Sequence, residues 1–136
     1  MCMNRLETKH LLVFPQLLEA GWKTTKGSQL RIEQVIRHEY IIGRDKTFRP
    51  LICDFALVYR GEFLATVVAT SEGDHLNHSL LKTKDYASCL SCRVAYATDG
   101  DVIHLVNMTT GKTHVADDFL APDELWNIPF QHNIRG

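Results

Sequence analysis

Two dense apolar runs, Leu51 to Tyr59 and Phe63 to Ala69, flank an Arg60-Gly61 pair. Runs of this length, rich in Val, Leu, Phe and Tyr and joined by two residues ending in glycine, predict a β-hairpin with strands Pro50–Tyr59 and Glu62–Thr70. Before the hairpin the pattern is helical from Asn4 to Ala20, with Leu11, Phe14 and Leu18 on one face. Pro15 divides that segment into two short helices or one kinked helix, and Gly21 stops it. Between Leu30 and Ile42 the periodicity permits a short helix at Leu30–Ile36 followed by a strand at Glu39–Ile42, closed by a turn at Gly43–Lys46. After the hairpin, Leu76, Leu80, Ala87 and Leu90 recur at helical spacing and predict a helix over His75–Leu90 that faces a sheet. Lys82 and Tyr86 lie four apart on a different face. A buried strand from Arg93, an Asp99-Gly100 turn, a strand at Val102–Val106, a turn at Gly111 and a short helix opened by Pro122 complete the order. The sequence of segments is that of an α/β domain with helices packed on a sheet.

Composition changes this picture little. The chain has 136 residues, 45% hydrophobic and 23% charged, which suits one folded domain spanning residues 1–136 and excludes a disordered chain. No run approaches the ~18 apolar residues that cross a bilayer, and the opening residues lack a hydrophobic signal core. The expectation is a cytoplasmic protein with no membrane partner. Net charge is −1, but its distribution is uneven. Seven basic residues face three acidic ones between Lys23 and Arg49, and six acidic residues face one basic residue between Asp99 and Glu124. One part of the surface can therefore meet phosphates while another repels them.

Candidate chemistry starts at Asp54, the one charge within the apolar runs. A carboxylate removed from water costs several kcal/mol unless it is paired, hydrogen-bonded or close to a metal. Two readings stay open at this point, a satisfied aspartate at a strand end and a metal ligand. Cys89 and Cys92 form a single C-x-x-C without a second pair or finger-spaced histidines, and read as two small buried thiols.

Asp54 on one strand and Leu64-Ala65-Thr66-Val67-Val68-Ala69-Thr70 on the next resemble the nuclease domain at the start of the motor subunit of type I restriction enzymes, a PD-(D/E)xK family. Lys84-Asp85-Tyr86-Ala87, Val94-Ala95-Tyr96-Ala97-Thr98-Asp99-Gly100 and Ala121-Pro122-Asp123-Glu124-Leu125-Trp126 continue the resemblance in the right order over nearly the whole chain. It implies a restriction-endonuclease-like mixed sheet of about four to five strands flanked by helices, with the region before the hairpin supplying the first strand. It also implies a catalytic Asp54, and it places the family's Glu and Lys at Val68 and Thr70. These positions are degenerate, since valine supplies neither ligand nor charge. Residues i and i+2 share a strand face, so Asp54, Val68 and Thr70 are expected to converge at one end of the hairpin.

The resemblance implies Mg²⁺ as cofactor if the domain is active, held weakly or not at all by Asp54 alone. Glu7, Glu72, Asp74, Lys82 and Lys84 are the candidates to rebuild the site. Double-stranded DNA is the implied partner, met by Lys82, Tyr86, Arg44, Lys46 and Arg49, with other restriction-system subunits or a helicase motor as further partners. The function expected is that of a type I restriction endonuclease-like domain, catalytically impaired. The alternative is a non-catalytic DNA- or partner-binding module, a pseudo-nuclease of a restriction or phage-defence system.

Overall fold

The computed structural model describes residues 8–42, 45–70 and 76–128, with side-chain surroundings for 9–36, 51–70 and 76–128. Among these residues a π-helical turn, Thr8–Val13, runs into α1 (Phe14–Glu19). Then follow β1 (Ser28–Ile42), β2 (Asp45–Tyr59), β3 (Glu62–Ala69), α2 (Leu76–Leu90), β4 (Val94–Thr98), β5 (Ile103–Asn107), β6 (Thr113–Ala116) and α3 (Pro122–Trp126). The six strands form one sheet in chain order, all antiparallel except the β3–β4 pair. The α/β class holds, and the strand count exceeds the expected four to five. The strand that escaped is β6, exposed at three of its four positions, so it carries no apolar signature.

The helix expected over Leu30–Ile36 is corrected to strand. β1 pairs with β2 from Ser28↔Tyr59 to Ile42↔Asp45. A helical period in a short segment is a weak preference that a long ladder overrides. The β2–β3 hairpin turns at Arg60 (φ 53°) and Gly61 (φ 82°); two consecutive positive φ values match the right-handed twist of the flanking strands. Val58 pairs with Phe63 and Leu57 with Ala65, so Leu64 is an extra residue at a bulge. Because β3 and β4 are parallel, the chain must cross over between them, and α2 is that crossover.

The two faces of the sheet are covered by different helices. Phe55, Leu57, Val67, Val94, Tyr96 and Leu105 cluster with Val13, Leu17 and Trp22 from the N-terminal helical segment. Their alternate neighbours Ala95 and Val106 cluster instead with Ala87 and Cys92 at the α2 side. This is the period-two alternation of a sheet buried on both sides. Trp22 donates its indole N–H to the Leu120 carbonyl at 2.9 Å, fixing the chain before β1 to the chain before α3. No helix among the described residues is long and apolar enough to cross a membrane.

Candidate functional site

Asp54 lies in β2 where the ladder to β1 is interrupted. The pairs Ile32↔Phe55 and Gln34↔Cys53 are formed around it, and Glu33 between them adopts φ 55°. A left-handed glutamate costs about 1 kcal/mol, and it turns its own side chain off the regular strand direction. Alternation breaks at the same place on β2. Cys53 joins a cluster with Ile36, Val68 and Tyr86, whereas Phe55, two residues on, belongs to the cluster on the other face.

The Asp54 side chain is 2% exposed, and both its oxygens are engaged. Oδ2 accepts the Ala69 N–H at 2.8 Å, and Oδ1 lies 3.7 Å from the Lys9 ammonium. Lys9 is itself 2% exposed. Its Nζ donates to Glu33 Oε1 at 3.2 Å and stands 5.6 Å above the Phe55 ring. One ammonium thus bridges two carboxylates, Asp54 inside and Glu33 (63% exposed) outside. Neither Lys9 nor Glu33 was singled out in the sequence. The signal was present, since Lys9, Val13 and Leu17 recur at i, i+4 and i+8, and all three are buried. The stripe expected from Leu11, Phe14 and Leu18 is displaced from this buried one, with Leu11 59% exposed.

Asp54 is expected to converge with Val68 and Thr70 at one end of the hairpin. Asp54 reaches the β3 backbone between those two residues, but it is engaged by Lys9, from the segment covering the Phe55 face. Val68 packs with Tyr86 of α2. Thr70 donates its N–H to the Thr98 carbonyl at 2.8 Å, and its buried hydroxyl has no hydrogen-bond partner among the described residues. Cys53 fills the remaining space, with Sγ 3.1 Å from the Phe55 carbonyl. Burial pushes its thiol up to about 12, so it stays protonated and carries no nucleophile.

Lys82 and Lys84 are half-buried on α2. Tyr86, expected on a separate face, is 7% exposed and turned to the sheet beside Val68. The buried stripe of α2 is Ser79, Thr83, Tyr86 and Ala87, with the Thr83 and Thr66 hydroxyls 2.9 Å apart. Of the expected stripe Ala87 is among these, whereas Leu76, Leu80 and Leu90 are only partly buried. Of the C-x-x-C pair, Cys92 is buried and Cys89 exposed, which corrects the expectation of two buried thiols. Lys46 and Arg49 lie on β2, within the stretch whose side chains are not described. Glu7, Arg44, Glu72 and Asp74 fall outside the described residues.

Does this arrangement suit a divalent ion? A hard cation such as Mg²⁺ asks for about six oxygens in near-octahedral order. Among the described residues no three His, Cys, Asp or Glu side chains converge. Asp54 has one oxygen on an amide and the other beside an ammonium, and Val68 offers nothing. These residues do not fit the ion. Two open clefts, about 380 and 560 Å³, are lined by other residues, among them Asp118 and Glu124 in both; their carboxylates disfavour phosphates.

Sheet order, crossover and hairpin make up an α/β fold that is similar to a solved restriction-enzyme fragment. Its structural likeness is to a fragment provisionally assigned as the HsdR subunit of a type I restriction enzyme from Vibrio vulnificus YJ016, with a TM-score of 0.78 and 28% identity over 93% of this chain. The match covers 25% of that fragment's chain, so this chain spans about a quarter of it. No family model matches the chain, and no curated protein does.

Proposed function

We propose that this chain is a type I restriction motor-subunit-like nuclease domain that contacts double-stranded DNA in a restriction system but is impaired in cleavage. The likeness to the HsdR fragment supports the first half of this reading. The observation that carries the second half is the engagement of Asp54 by the Ala69 amide and Lys9, opposite a strand end where Val68 and Thr70 offer no second carboxylate. In a working site of this class the ion polarises the phosphate and activates water. Here Asp54 acts as an internal hydrogen-bond acceptor that joins β2 to β3, and Lys9 neutralises it. Loss of a single electrostatic group commonly costs about 3–4 kcal/mol of barrier, and two are missing.

Incubation of the 136-residue chain with supercoiled plasmid and Mg²⁺ or Mn²⁺ should leave the plasmid intact. Fluorescence anisotropy with a labelled duplex should show association that weakens steeply as salt rises. Robust nicking that disappears in Asp54→Ala would overturn the impairment. Absence of any duplex association at low salt would overturn the DNA reading. Other restriction-system subunits, or a motor to which such a domain is joined, are the partners this reading implies.

A further inference from the structure

Lys9 is a cation placed inside the protein beside Asp54. It is as deeply buried as Asp54, at 2% exposure each, and it sits between two carboxylates at 3.7 and 3.2 Å. An ammonium removed from water needs opposite charge nearby to be tolerated, and the pair supplies it. Three further observations converge there. Glu33 takes a left-handed backbone opposite Asp54, a conformation that non-glycine residues adopt only when their surroundings impose it. The Phe55 ring lies under the ammonium at 5.6 Å, a second stabilisation specific to a cation. Thr70 buries a hydroxyl without a hydrogen-bond partner among the described residues at the same end of β3, as polar groups beside a solvated ion would not be left.

We propose that the Lys9 ammonium is a built-in replacement for the divalent ion at Asp54, so that the site is closed to metal by a side chain and becomes a metal site when that charge is removed. The inference rests on the nuclease-fold reading of Asp54. It differs from simple decay of a site: decay leaves a weak, open carboxylate, whereas replacement leaves a neutralised one that discriminates against added cations.

The test uses Mn²⁺ as probe on the 136-residue chain. Melting of the unmodified protein should not shift between EDTA and Mn²⁺, and its Ala69 amide NMR signal should escape paramagnetic broadening. Lys9→Gln keeps the stem and a hydrogen-bond donor while removing the charge. It should melt lower in EDTA and recover by on the order of 5–10 °C in saturating Mn²⁺. Adding Asp54→Asn should abolish that recovery. A folded Lys9→Gln whose melting ignores Mn²⁺ would overturn the proposal. So would selective broadening of Ala69 in the unmodified protein, a readout that stands even if every Lys9 variant fails to fold. Duplex anisotropy on the same samples separates this from the proposed function. Loss of DNA association with the Mn²⁺ response intact sinks that reading alone, and the converse sinks only the role of Lys9.

Discussion

At the scale of single residues, the buried pair of Asp54 and Lys9 makes a prediction whose sign is informative. In an open metal site a carboxylate is held against its own desolvation, and replacing it usually stabilises the fold. Here the carboxylate neutralises a buried ammonium and accepts the Ala69 N–H. Breaking a buried pair from one side costs about 3–5 kcal/mol, so Asp54→Ala should lower stability by roughly that much in urea titrations without added metal. An unchanged or raised midpoint would contradict the pairing. The cysteines give a second residue-scale test. Cys53 and Cys92 are buried and their thiols are raised by desolvation, Cys53 to about 12, whereas Cys89 is exposed. Among these three, Cys89 alone should be alkylated by iodoacetamide in the native protein, as read by peptide mass mapping. Cys53 and Cys92 hold their protons more tightly folded than unfolded. Their contribution is therefore complete below the ordinary thiol value of 9.0, and it drains away as pH rises above it.

At the scale of elements, glycines test the turns separately from the packing. Gly61 has φ 82° and nothing within 4 Å of an added Cβ, so Gly61→Ala should cost only the backbone strain, about 1 kcal/mol. Gly100 has φ 93°, and an added Cβ would meet Leu12 at 2.5 Å. Gly100→Ala must also push the N-terminal helical segment off the sheet, where Gln16 donates to the Gly100 carbonyl at 2.7 Å, and should cost about 2–4 kcal/mol. Equal losses in thermal melts of the two variants would refute the difference. The elements that sequence made legible were those whose periodicity and turn chemistry agree: the hairpin around Arg60-Gly61, the Asp99-Gly100 turn, and α2 as a helix. What it misplaced depended on partners far along the chain. β1 is strand because β2 pairs with it from Ser28 to Ile42, with a break at Glu33. α2 buries Thr83 and Tyr86 because the sheet beneath presents Thr66 and Val68. Asp54 stood out as a lone charge; the place of Lys9 on the Val13–Leu17 stripe was legible, but its pairing with Asp54 shows only once the helical segment is laid over Phe55. The break in alternation between Cys53 and Phe55 has no local signature either, since both are residues that a buried strand accepts.

At the scale of the whole molecule, strand order sorts the uneven charge of the sequence. The basic stretch from Lys23 to Arg49 leads into and forms β1 and the start of β2, one edge of the sheet, and the acidic stretch from Asp99 to Glu124 contains β5 and β6, the other edge. A domain polarised in this way approaches a polyanion with one edge leading. If double-stranded DNA is the partner, Lys23 and Lys26, both exposed in the loop before β1, belong to the leading side. Reversing both to glutamate should weaken duplex association at least about tenfold at low salt and lower the slope of log affinity against log salt by about 2, one unit per lost phosphate contact. Reversing Lys112, exposed near the opposite edge, should leave both quantities nearly unchanged although it alters net charge by the same amount per residue. Equal losses from the two edges would mean that only net charge matters, and the polarised docking would fall. A loss in affinity without a change in slope would place the two lysines outside the phosphate contacts and return the interface to α2, where Lys82 and Lys84 would be the next to reverse.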